Sequence, residues 1–384
     1  MPSTAARLAF YQRAGGAVVP VVTALAAFVV AGLIVLATGS NPLSTYRAIW
    51  EGTGLNWPYL WLTGQDLEVA SANLQQTGIA TTALILTGLA VAFAFRCGLF
   101  NIGGQGQYIA GAVAAVWIGS SLSGLPAALH VILAVVIAGL AGAALAGIAG
   151  LLKATLGAHE VITTIMLNWI ALWVGSYLVG RGGPLVNDRD PGQPVSNDVL
   201  DEAKLPVIWG DPDFQGLHLG FFVALAALVV FSIVLNRTTL GYEVRAVGFN
   251  PEAARYGGIS VARSYFLAMA IAGVFAGLAG ALDVLGWQYR LDVDGIQASQ
   301  IGFIGIAVAL LGRNTAVGVF LSAFLFGALF TGTSSRNLDE ASFPPELAGN
   351  LTLIIQGLVV LLVGVDVLVL YLWQARRKLG RSPA

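Results

Sequence analysis

The chain has 384 residues, 57% of them apolar and 10% charged, with a mean hydropathy of +0.80. A soluble domain carries about a quarter charged residues, so this composition excludes an ordinary water-solvated globule and makes the bilayer the main solvent. A net charge of −1 gives no footprint for nucleic acid, and the single cysteine, Cys97, permits no disulfide within the chain.

A helix crosses the hydrocarbon with about 20 apolar residues, because in lipid only the helix itself satisfies its backbone groups. Ten stretches meet or approach that length: 17–37, 74–95, 102–119, 125–150, 161–180, 217–235, 264–285, 296–312, 314–331 and 350–372. The expected fold class is therefore an all-α membrane protein of about ten transmembrane helices, one transmembrane domain over 1–384. The first stretch follows Arg7 and Arg13 and exceeds a signal-peptide core of roughly 7–15 residues, so it reads as a retained span.

With the N-terminus in the cytoplasm and alternating sides, 13 of the 19 basic residues fall inside. That bias fits the positive-inside rule and puts both termini in the cytoplasm. Residues 181–216 hold seven acids against three basic residues, with five prolines, and read as an irregular outer loop. The segment 236–263, with four arginines and two glutamates, reads as cytoplasmic.

Small residues recur every fourth position in Ala138, Gly142, Ala146 and Gly150, and again in Gly273, Gly277 and Ala281. Such stripes let helix backbones approach, within the chain or across a dimer seam. The third and eighth stretches are short and glycine-interrupted, reading Gly103-Gly104-Gln105-Gly106-Gln107 and Gln297-Ala298-Ser299-Gln300-Ile301-Gly302. Their corresponding places in two halves predict inverted internal repeats around a midplane path.

No enzyme chemistry is visible. No lysine follows a glycine in a phosphate-cradling loop, so ATP, if used, is bound by a separate subunit and the chain needs no cofactor. His159-Glu160 lacks the second histidine of a zinc helix, Thr163 standing there instead, so no metal site is expected. Asp366 is the one acid well inside an expected span. A proton-coupled secondary transporter would need such a group, and that is the alternative of another class; a non-transporting scaffold is a third.

Within 236–263, Asn250 suits an N-cap, Pro251 the first helical position, Glu252 the positive helix start, and Gly257 or Gly258 the left-handed stop. A helix of about two turns is unstable alone in water, so it docks on something or is an ordinary surface turn.

Three stretches together resemble one family: Gly98-Leu99-Phe100-Asn101-Ile102-Gly103-Gly104-Gln105-Gly106-Gln107, His159-Glu160-Val161-Ile162-Thr163-Thr164-Ile165-Met166-Leu167-Asn168 and Gly302-Phe303-Ile304-Gly305-Ile306-Ala307-Val308-Ala309-Leu310-Leu311-Gly312. This is the branched-chain amino acid, ribose and nucleoside group of ABC importer permeases, nearest its nucleoside or simple-sugar branch. Glu252, Ala253, Ala254 and Gly258 are similar to the Glu-Ala-Ala-x-x-x-Gly signature, without the hydrophobic and proline residues that usually trail it.

The resemblance implies a type II-like permease for a small polar solute, a nucleoside first, with a ribose-like sugar or a branched-chain amino acid as alternatives. It implies an ABC ATPase subunit that hydrolyses the ATP, a second permease subunit, homologous or identical, and an extracytoplasmic substrate-binding protein. Arg245, Asn250, Glu252, Ala253, Ala254, Arg255 and Gly258 would couple to the ATPase. Asn101, Gln105, Gln107, Asn168, Gln297 and Gln300 offer amides for ribose hydroxyls and base edges, with Trp169, Trp173 or Phe303 for stacking. The same amides could instead bond neighbouring helices.

Overall fold

The computed structural model describes residues 21, 24–37, 39, 41–59, 61–211 and 215–334, with 350, 353, 354, 357, 358 and 361 beyond them. Most of the expected span 350–372, with Asp366, lies outside the described residues, as do 17–20 and the basic residues before and after them.

The chain divides into one compact unit of residues 53–331 and a second made of 1–52 with 332–384. In the second unit, α1 (Ala24–Ala37) is a short apolar helix and α2 (Pro42–Gly52) an 11-residue helix. The Asn41 side chain caps α2 by accepting from the Leu43 amide at 2.9 Å.

The larger unit is helical apart from one small ribbon. It runs α3 (Gln65–Arg96), α4 (Gly104–Ser121), α5 (Ala127–Leu156) and α6 (Glu160–Val179), then β1 (Val207–Trp209) and β2 (Leu217–His218), paired antiparallel with Val207 opposite His218. It continues through α7 (Gly220–Arg237), α8 (Thr239–Phe249), α9 (Pro251–Tyr256), α10 (Val261–Asp283), α11 (Val293–Ala298), α12 (Ile301–Leu311) and α13 (Ala316–Gly332). Among the described residues, six stretches are long and apolar enough to cross a membrane: α3, α5, α6, α7, α10 with its C-terminal turn, and α11 with α12; α1 and α13 are shorter apolar helices. The Gly-Gln-Gly-Gln opening of α4 lowers its hydropathy, although the helix is 18 residues long.

Polar and irregular features shift several expected boundaries. Asp66 and Glu68 favour the positive helix start, so α3 begins at Gln65, nine residues before the apolar stretch. The stretch 296–312 is broken at Ser299 and Gln300 into two helices. The loop 181–216 is mostly irregular, as its prolines require, but contains β1 and a 3₁₀ turn at Asp201–Ala203.

α3 is central, 83% of its span window being buried. Its buried threonines are tolerated because Thr81, Thr82 and Thr87 return their hydroxyls to the carbonyls of Thr77, Gly78 and Ala83 at 2.6, 2.8 and 3.0 Å. The small-residue stripes pack within the chain: a β-carbon at Gly142 would overlap the Gly273 carbonyl, and one at Gly273 the Gly142 carbonyl, so α5 and α10 meet backbone to backbone.

Two ends can be distinguished in this unit. At the helical end, Arg96 Nε and Nη2 donate to the Asn314 carbonyl at 3.0 and 2.6 Å, joining the ends of α3 and α12. There Lys153 also pairs with Glu160 at 2.8 Å across the α5–α6 turn. At the loop end, the Leu200 amide donates to the Gly119 carbonyl at 2.9 Å, tying the last turn of α4 to segment 180–219.

Candidate functional site

Two helices begin inside the unit rather than at its ends. The first turn of α4 lies against Asn168, the ninth residue of the 20-residue α6, and is therefore at mid-span depth. From there α4 runs to the loop end. α12 starts at Ile301 beside the same turn and runs the opposite way, to the helical end.

Gln105 holds the crossing together: its Oε1 accepts from the Gly302 amide at 2.8 Å and its Nε2 donates to the Ser299 carbonyl at 2.9 Å. One side chain thus satisfies backbone groups freed where α11 and α12 break, which buried backbone requires. Gly302 is needed because any β-carbon would collide with the Gln105 backbone.

The other amides work alike. Asn168 accepts from the Gly106 amide at 2.7 Å and donates to the Ile102 carbonyl at 2.9 Å. Asn101 and Gln107 exchange two hydrogen bonds at 3.0 and 2.9 Å, and Asn101 also takes the Gly103 amide at 2.9 Å. Asn101, Gln105, Gln107 and Asn168 are all buried, with both amide groups engaged.

The remaining expected path residues stand on the surface. Gln297 and Gln300 are exposed on and beside α11, and Phe303 is 43% exposed on the first turn of α12. Trp169 is exposed on α6 with Trp173 and Tyr177, spaced four residues apart on one helix face. α6 and α11 are packed neighbours, Gly175 lying under Ile296.

A second buried polar cluster was not anticipated from the sequence. Asp283, at the end of α10, is 2% exposed and accepts from the Tyr108 hydroxyl at 2.8 Å and the Trp287 indole N–H at 3.3 Å. Gln288 donates to the Tyr108 hydroxyl at 3.5 Å. Here α10 widens into a π turn, Val284–Gln288, closed by Tyr289 at φ +57°. Asp283 sits two residues from the end of the expected span 264–285. The polar run Trp287-Gln288-Tyr289-Arg290 after it was the available signal.

At the helical end, α9 is built as its sequence requires. Asn250 Oδ1 accepts from the amides of Glu252 and Ala253, both at 3.0 Å, Pro251 occupies the first turn, and the left-handed residue is Gly258 at φ +85° rather than Gly257. Ala254 packs inward, while Glu252, Ala253 and Arg255 are exposed. Arg245 is half-buried on α8, its Nε donating to the Gly241 carbonyl at 3.2 Å. Phe249 and Tyr256, at the two ends of this turn-and-helix, are 91% and 97% exposed. Both rings are thus uncovered within this chain. Cys97, nearby at the end of α3, is buried, and burial pushes its thiol up to about 12.

Residues 73–364 match the family of branched-chain amino acid transport system permease components. The chain belongs to that family. The guanosine ABC transporter permease protein NupP of Bacillus subtilis is 40% identical over 88% of the chain and 90% of its own length. The nucleoside ABC transporter permease protein NupB of Lactococcus lactis is 36% identical over 86% of both, and the glucose ABC transporter permease protein TsgB13 of Haloferax volcanii 37% identical over 89% and 85%. The first two organisms each have a further permease protein, NupQ and NupC, both 27% identical to this chain. No solved structure matches the chain.

This permease is thus a multi-pass cell-membrane protein and a subunit of an ABC importer, not itself an enzyme; ATP is hydrolysed by a separate subunit. Family membership sets aside the ion-coupled and scaffold alternatives.

Proposed function

We propose that the permease forms the translocation path of a bacterial importer for nucleosides. The supporting observation is its identity of 40% and 36% to permeases named for guanosine and nucleosides, across most of each protein. The path runs along the face of α6, α11 and α12 where Trp169, Gln297, Gln300 and Phe303 are exposed. Amides at membrane depth are costly against lipid, so this face is covered by water and a second permease subunit. Asn101, Gln105, Gln107 and Asn168 stand behind it and hold the mid-depth crossing in register. The second subunit is a homologue rather than a copy, a reading supported by the two permease proteins, one nearer and one more distant from this chain, in each of two organisms.

The helical end is cytoplasmic in this reading. Arg245, Asn250, Glu252, Ala253, Ala254, Arg255 and Gly258 present α9 to the ATPase, and the loop end receives the binding protein. Ten spans with both termini in the cytoplasm complete the topology. The opposed directions of α4 and α12 from one crossing support the inverted-repeat reading.

A sugar is the second reading, favoured by the 37% identity to a glucose permease. The test is import by the reconstituted complex, with its ATPase, second permease and binding protein, of guanosine, uridine, ribose, glucose and leucine. Guanosine import that excess uridine suppresses is expected. Glucose import that excess guanosine leaves unchanged would replace the nucleoside reading by the sugar one.

A further inference from the structure

At the loop end, segment 187–201 and residues 287–290 at the end of the π turn line a polar cavity of about 790 Å³, within the roughly 300–1,000 Å³ typical of small-molecule sites. Its charged lining is balanced, Asp188, Asp198 and Asp201 against Arg189, Lys204 and Arg290. The lining therefore carries no net formal charge, which suits a neutral polar molecule.

The aromatic groups here are fixed from below. The Trp287 indole is oriented by its bond to Asp283, and the Tyr289 ring by a hydroxyl bond to the Gly286 carbonyl at 3.0 Å with the Lys204 ammonium 5.0 Å over its face. Tyr289 is held in left-handed backbone, rare for an aromatic residue, while its carbonyl accepts from the Val199 amide at 2.7 Å. The walls are held as well, Lys204 pairing with Asp201 at 2.6 Å and Asn197 donating to Asp188 at 2.8 Å. That leaves the exposed Asp198 carboxylate, the exposed Arg189 and Arg290 side chains, the Gln288 side-chain carbonyl and the Trp287 ring for a ligand. A carboxylate for vicinal hydroxyls, an amide carbonyl for a base edge and an aromatic face for stacking are complementary to a nucleoside.

The cavity floor is also wired to the crossing. Gln288 donates to Tyr108 on α4, and one turn earlier on α4 Gln105 holds the break between α11 and α12. We propose that this cavity is a receiving site on the permease itself for a neutral nucleoside, taken up at the loop end before it reaches the path. This inference rests on the nucleoside reading above.

The test uses the permease pair with its ATPase in nanodiscs, without binding protein, and measures tritiated guanosine by scintillation proximity. The wild-type complex is expected to bind guanosine saturably and guanosine 5′-monophosphate at least tenfold more weakly. Asp198→Asn and Gln288→Ala are each expected to weaken guanosine at least tenfold with the thermal melting of the complex unchanged. No guanosine binding by the wild type, equal binding of the monophosphate, or unchanged affinity in either variant would overturn the proposal. Guanosine import by the complete complex is followed in parallel. Its absence refutes the nucleoside reading itself, whereas import with binding indifferent to both variants refutes the cavity alone.

Discussion

Alanine at both Phe249 and Tyr256 is expected to leave the permease inserted and paired, yet to abolish most solute-stimulated ATP hydrolysis by the reconstituted complex. Both rings are almost wholly exposed at the ends of α9, so their removal costs the isolated chain little. Buried against a groove of the ATPase, each would be an anchor of the kind that contributes about 2 kcal/mol or more at an interface, and loss of the pair weakens docking at least a hundredfold. Glu252 and Arg255 stand between them, and replacing these two should likewise uncouple hydrolysis without affecting insertion. Copurification of the ATPase with the double alanine variant, together with wild-type stimulation by solute, would remove α9 from the coupling surface.

Gly302→Ala is the second large effect, and it acts at mid-depth. The added methyl has nowhere to go, because the space is filled by the backbone of Gln105, not by the flexible end of a side chain. α12 must then move off α4, and the two bonds that Gln105 makes to Ser299 and Gly302 lengthen or break. Overpacking of this kind costs about 1–3 kcal/mol, and unsatisfied backbone groups inside the membrane add to it. The expected result is a melting temperature lower by several degrees and import below one-tenth of wild type. Wild-type melting and import in Gly302→Ala would mean that the crossing is loosely packed and does not position the path.

What could be read from the sequence was local. Asn250, Pro251 and Gly258 announce α9 because capping needs only neighbours in the chain, and the caps form as those residues require. Interrupted helices were visible as short glycine-rich stretches because glycine and glutamine lower hydropathy wherever they occur. The pairing between those stretches could not be read, since Gln105 and Gly302 are 197 residues apart and nothing in either stretch specifies the other. For the same reason six amides looked alike in sequence, whereas four are buried and bonded within the chain and Gln297 and Gln300 are exposed. The ambiguity between packing within the chain and a dimer seam was resolved by contact between Gly142 and Gly273, another long-range fact. Asp283 escaped notice because hydropathy marks where apolar residues stop. It does not show that a helix continues through a π turn and buries the acid there.

The central claim is that solute passes along the face of α6, α11 and α12, and thiol accessibility tests it most directly. Cys97 is buried with its thiol pushed up to about 12, so it holds little of the reactive thiolate and can remain in place. Gln300→Cys on the proposed path and Val229→Cys on an exposed apolar face of α7 are compared in the complete complex, using a membrane-impermeant thiol reagent. The account predicts that Gln300→Cys is modified, that guanosine with its binding protein and ATP changes the rate at least threefold, and that Val229→Cys stays unmodified. Labelling of Gln300→Cys as slow as that of Val229→Cys, or a rate indifferent to solute and ATP, would contradict it.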